Sequence, residues 1–413
     1  MSEISELQRK TVRTLSIAQI GAGIGTAGTV AAGSLLVAAI TGDEQLAGLA
    51  QTFSLLGAAS LALPLAKLTA RGGRRTALSF GYATGVIGSF FAIMGGVHSN
   101  IFLMLTGTFL VGSASASAFQ ARFAAIDLVS EEHRAKQLSF VVWGSTIGAV
   151  TGPNLMAPAG NIAEYFGLPR LTGPYLISAT TLTFASLLIF TFLKPDPYLT
   201  ALGEGKSYAP GKRNFKAALS HIFHKPIALF AILSIAIGHI AMVSVMVMTP
   251  VHMAHVEVTL RVIGLVISVH VLGMYAFSPL VGSISDRIGK IRTIQIGLLI
   301  LLASAIIAGT APGHDIPRLG VGLFLLGLGW SFTLISGSAL LTSSVDPDLK
   351  TSVQGASDLV MNLAGAVGGA IAGVVISALS YGWLCVFAAI PVIALGIWSI
   401  SFRSLKTPEI NRV

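Results

Sequence analysis

Apolar positions run in stretches of about twenty residues or more from one end of the chain to the other, separated by short polar interruptions. Twelve such stretches fall near 14–40, 46–70, 76–97, 100–127, 138–160, 173–193, 226–253, 261–284, 292–311, 318–344, 351–379 and 382–402. Each is long enough, as a helix, to cross the hydrocarbon core of a bilayer. The pattern predicts an all-α membrane protein of twelve transmembrane helices.

Composition agrees. Hydrophobic residues make up 53% of the 413 and charged ones 10%, with a mean hydropathy of +0.80. Soluble chains carry roughly 25% charged residues, so a soluble enzyme is excluded. The net charge of +9 would suit nucleic acid, but topology accounts for it. With the N-terminus in the cytoplasm, nearly every Lys and Arg outside the spans falls on the cytoplasmic side; Arg170, Arg261 and Arg318 are the exceptions. That asymmetry is the positive-inside rule, and it places both termini in the cytoplasm with no nucleic-acid partner. The first helix is too long for a removable signal peptide and lacks a small-residue cleavage site. The single cysteine, Cys385, permits no intramolecular disulfide and reads as buried apolar filler.

Six spans, a polar segment rich in Pro and bases, and six more spans indicate a duplicated architecture. The expected division is an N-terminal six-helix bundle over 1–193, a cytoplasmic linker over 194–225 lying on the membrane surface, and a C-terminal six-helix bundle over 226–413. Two short loops occupy corresponding places. One follows the second span and runs from Ala66 through Ala70, Arg71, Gly73, Arg74 and Arg75; the other follows the eighth, from Gly282 through Asp286, Arg287, Gly289 and Lys290. Both resemble the G-x-x-x-D-R-x-G-R-R loop of the major facilitator superfamily, the first with Ala70 in place of the acid. The resemblance implies two pseudo-symmetric six-helix bundles that rock about a site near mid-membrane, giving alternating access. It also implies that Arg71, Arg74, Arg75, Asp286 and Arg287 act as gating loops, with the first latch weakened by the missing acid. Glycines at 21, 23, 25 and 28, at 144, 148 and 152, and at 365, 368, 369 and 373 form small-residue stripes that let helices approach closely. Gly152-Pro153 resembles part of the fifth-helix antiporter motif of the same superfamily, without its trailing glycines.

Ionisable groups inside a bilayer are costly and point to function. Arg122 and Asp127, toward the cytoplasmic end of the fourth span, read as part of a structural gate network. Asp358 is the deepest carboxylate, with Gln354 and Asn362 on its face at four-residue steps. It is either a proton-coupling site or a hydrogen bonder between helices. Drug/proton antiporters of the superfamily often carry an Arg in the middle of the fourth helix and an acid in the first or fourth. Neither stands at those places here, which counts against drug export.

Met242 and Met246 in the seventh span, and His270 and Met274 in the eighth, are each one helical turn apart. Methionines at helical spacing are commonly flexible packing, and a histidine such as His239 on an apolar face is commonly hydrogen-bonded to a neighbour. Depth favours more for these four. Counted from the outer ends of the two antiparallel helices, both pairs lie roughly 13–20 Å down, at matching levels. Thioether and imidazole suit Cu(I). His252, Met253 and His255 would stand at the outer mouth as a metal entry.

Met-x-x-x-Met in the seventh helix with His-x-x-x-Met in the eighth resembles the CcoA-like copper importers within the superfamily. By that resemblance Met242, Met246, His270 and Met274 are the copper ligands, though those importers use cysteines as well. Relatives in the same branch import riboflavin. The expectation is a monomeric secondary transporter of a bacterial cytoplasmic membrane importing copper, with riboflavin uptake and proton-coupled efflux of drugs or metabolites as alternatives. No enzymatic activity, nucleotide-binding loop or permanently bound cofactor is expected.

Overall fold

The computed structural model describes residues 3–43, 46, 48–203, 220, 222–254, 257–258 and 260–404. Most of the expected linker, with its bases Lys206, Lys212, Arg213 and Lys216, lies outside the described residues, as does His255. The described residues form helices and no strands.

The helices are α1 (Glu3–Thr41), α2 (Leu49–Val97), α3 (Ile101–Ala124), α4 (Arg134–Asn154), α5 (Met156–Tyr165), α6 (Gly173–Phe192), the short α7 (Pro197–Leu202), α8 (Pro226–Ala254), α9 (Leu260–Tyr275), α10 (Ser278–Ile288), α11 (Lys290–Gly309), α12 (Ile316–Ser344), α13 (Lys350–Ala378) and α14 (Tyr381–Ser399). Ten helical stretches of the described residues are long and apolar enough to cross a membrane. One of them, α2, is two arms joined at Gly73, whose φ of 81° only glycine adopts without strain. A further crossing is made in two pieces by α4 and α5, which brings the number to the twelve expected.

Two expected single helices are broken. The fifth span, 138–160, lapses at Leu155; Pro158 has no N–H to donate to Asn154. The eighth, 261–284, lapses at Ala276 and Phe277, because Pro279 cannot donate to Tyr275. Side chains start several helices. The Asn100 carboxamide accepts from the amides of Phe102 and Leu103, and the Ser380 hydroxyl accepts from that of Trp383.

The chain divides into two compact units whose bounds depart from chain order. The first comprises 1–130, 140–221 and 345–366; the second comprises 131–139, 222–344 and 367–413. The first part of α13 thus joins the first unit, and the turn before α4 joins the second. In the first unit, Ala32, Leu36, Val37, Ala92, Ile93, Met104 and Tyr175 from four crossings close a core. There α1 meets α4 glycine to glycine: a Cβ on Gly148 would stand 2.6 Å from the Gly23 Cα. In the second unit α12 is central, with α8, α9 and α11 packed along it.

Candidate functional site

Within the first unit, α13 presents Gln354, Asp358 and Asn362 along one face. Arg122 Nη2 donates to Asp358 Oδ1 at 2.7 Å, and both side chains are at most 1% exposed. The guanidinium lies 4.4 Å from the Phe123 ring centre and 5.5 Å from that of Phe119, which holds its plane in place. Its Nη1 donates to the Phe119 carbonyl at 2.7 Å. Asn362 turns back to donate to the Asp358 carbonyl at 2.7 Å. Asp358 Oδ2 is buried without a hydrogen-bond partner among the described residues. A proton placed on that oxygen would remove the charge that holds Arg122 while leaving the Oδ1 contact sterically intact. Such a pair is stable only while both members stay charged and aligned.

One turn nearer the start of α13, Gln354 Oε1 accepts from Arg74 Nη2 at 2.7 Å. Arg74 also donates from Nε to Asp127 Oδ2 at 2.7 Å and from Nη2 to Oδ1 at 3.2 Å. Lys350 Nζ stands 3.5 Å from Asp127. Arg122 and Asp127, expected in one network, therefore serve two: α3 ends at Ala124, so Asp127 sits in the turn beyond it and meets the loop base instead. Arg71 and Arg287 are exposed.

The two repeated loops differ in what their acids do. In the second unit, Asp286 accepts from the backbone amides of Ala135 (3.1 Å) and Lys136 (2.9 Å), capping α4. Gly289 follows at a φ of 93°, the counterpart of Gly73. In the first unit the methyl of Ala70 can accept nothing. The acid beside that loop is Asp196, at the start of the linker. Its Oδ2 accepts from the Arg75 amide at 2.7 Å, while Oδ1 caps α7. The Tyr198 ring then lies under the Arg74 guanidinium, 5.7 Å from its centre.

In the second unit, His270 and Met274 face α12. His270 is fully buried, with Nδ1 2.8 Å from the Leu323 carbonyl. That contact makes Nδ1 the proton-bearing nitrogen and leaves a lone pair on Nε2, which has no partner among the described residues. Met274, one turn along, packs where Gly327 has no side chain. Met242 is buried and Met246 half-buried on α8, which touches α9 only slightly. His252 stacks flat on Tyr381 at 4.3 Å, its Nε2 3.2 Å from the Ala311 carbonyl, and Met253 is wholly buried. Among the described residues no three of His, Cys, Asp or Glu converge on a metal position.

Sequence reasoning passed over four residues: Asp196, Lys350, Tyr275 and Trp330. Trp330 Nε1 donates to His239 Nδ1 at 3.0 Å, and the Tyr275 ring meets Trp330 edge-on at 5.6 Å. α8, α9 and α12 so bring an imidazole, a phenol and an indole together in one interior. A lone tryptophan inside a glycine-rich span was the available signal.

The family model described as Major Facilitator Superfamily matches residues 15–257 and again 239–412. The chain is 36% identical over 401 residues to the uncharacterized MFS-type transporter YdeG of Bacillus subtilis (strain 168), covering 95% of this chain and 92% of that protein. It is 26% identical over 398 residues to the riboflavin transporter RfnT of Brucella anthropi, covering 96% of each. Among solved structures, the E. coli fucose:proton symporter FucP superposes with a TM-score of 0.71 at 18% identity, over 96% of this chain and 98% of that one, a likeness of fold alone. The two family matches together span nearly the whole chain, and the protein belongs to the major facilitator superfamily of membrane transporters.

Proposed function

We propose that this protein is a proton-coupled secondary transporter of a small organic solute with an aromatic ring system, of the flavin class. It would lie in a bacterial cytoplasmic membrane with both termini inside. The buried Arg122–Asp358 pair carries the coupling part of the reading. Protonation of Asp358 frees Arg122, and the energy difference between paired and parted states is what a proton gradient can drive. The substrate class is supported by the full-length similarity to a riboflavin transporter. It is also supported by the Trp330, Tyr275 and His239 cluster, which offers ring faces beside hydrogen-bonding atoms.

The test is uptake of radiolabelled riboflavin into proteoliposomes with an imposed pH gradient. Wild type should accumulate it, and Asp358→Asn should lose the gradient's effect while still exchanging substrate at equilibrium. Uptake equal to that of empty liposomes would sink the substrate; a gradient response that survives Asp358→Asn would sink the coupling.

One observation favours copper as a second reading: the buried, unpartnered Nε2 of His270, with Met274 a turn away. On that reading copper is cargo, and Met242 and Met246 complete the ligands when α8 moves toward α9. Cellular uptake of radioactive copper should then fall in Met242→Leu/Met246→Leu and in His270→Ala/Met274→Leu at unchanged membrane levels. Wild type indistinguishable from empty vector removes this reading.

A further inference from the structure

At one end of α11 and α14 two glycines bring the helices into contact. A Cβ on Gly382 would stand 2.9 Å from the Gly309 carbonyl, and one on Gly309 would stand 2.7 Å from the Cys385 Cβ. With no side chains at the crossing, Ala305, Ile306, Trp383, Val386, Ala389 and Ile393 wall a recess of about 490 Å³. Ile306 and Val386 are 66% and 49% exposed, so the recess opens away from the unit's interior, toward lipid. Its volume falls in the roughly 300–1,000 Å³ range of small-molecule pockets.

The lining changes character along its length. Thr310 and Ser380 close one end, and Trp383 sits beside them, an amphipathic ring of the kind found at headgroup level. At that end Arg318, which is exposed, donates from Nη2 to Thr310 Oγ1 at 2.5 Å. The neighbouring acid, Asp315, accepts from the Arg318 backbone amide at 3.2 Å. A guanidinium at the polar end of an apolar recess that faces lipid has the chemistry of a lipid site, since it meets phosphate with matched planar donors.

We propose that the α11–α14 groove holds an anionic phospholipid, with one acyl chain in the recess and the phosphate on Arg318. The occupant is a lipid of the leaflet opposite the chain termini. Nothing in the transport reading requires it.

The test uses purified full-length protein in phosphatidylcholine vesicles doped with a few mole per cent of phosphatidylglycerol brominated in its acyl chains. Bromine quenches tryptophan at short range, and the Trp383 signal is the difference between wild type and Trp383→Phe. Phosphatidylglycerol should quench that signal more than the same amount of brominated phosphatidylcholine. Arg318→Gln should abolish the excess, and so should Ala389→Leu, which fills the recess. Equal quenching by the two lipids overturns the proposal, as does an excess that outlasts either substitution.

Discussion

At the scale of single residues, the costliest arrangement is the Arg122–Asp358 pair. Removing one member leaves the other charged, buried and unmatched. Arg122→Gln should therefore lower stability by about 3–5 kcal/mol, read as a drop in thermal unfolding temperature in detergent. Arg122→Gln/Asp358→Asn should recover most of that loss, because two neutral amides can bond where the ions did. The double variant should still lack any response to a pH gradient. Recovery of the gradient response would remove Asp358 from the coupling role. The face that holds this pair was readable, since Gln354, Asp358 and Asn362 recur at four-residue steps. Their partners were not. Arg122 and Arg74 lie far from α13 in sequence, and only folding decides which base meets which acid.

At the scale of elements, glycine spacing translates into helix crossings that tolerate no side chain. Gly148 faces Gly23 so closely that Gly148→Val should abolish membrane expression, or leave a protein that aggregates on extraction, as followed by size-exclusion chromatography. Gly373 has no neighbour within reach of a Cβ among the described residues. Gly373→Ala should be silent in the same assay, or stabilising by up to about 1 kcal/mol through helix propensity. Monodisperse Gly148→Val would show that the α1–α4 contact is dispensable. Hydropathy located every crossing because length and apolarity suffice for that. It missed the breaks at Leu155 and Phe277, which depend on where a proline leaves one carbonyl without a donor.

At the scale of the whole molecule, the compact units do not coincide with the two halves of the chain. Residues 345–366 pack with the first unit and 131–139 with the second. A polypeptide cut between 204 and 219 thus gives two fragments, each lacking a piece of its own unit. Co-expressed fragments should assemble and transport; each alone should be degraded, as judged by immunoblotting of membranes. Accumulation of either fragment alone would show that those exchanged segments add little. The repeat was legible from the two loops and from Gly73 and Gly289, which need the same backbone conformation in both copies. The exchange was not, since it rests on side chains such as Asp286 reaching the amides of Ala135 and Lys136. Aligning the repeats on Ala66 and Gly282 has one more consequence. A constant offset places Ser338 opposite Arg122 and Val142 opposite Asp358. Each repeat thus contributes one member of the charge pair, and the two counterpart positions carry no charge. Under the proposed coupling, the repeated backbone is symmetric and its charge is not: of the two sets of equivalent positions, the one with Arg122 and Asp358 offers a carboxylate to a proton and the one with Ser338 and Val142 does not.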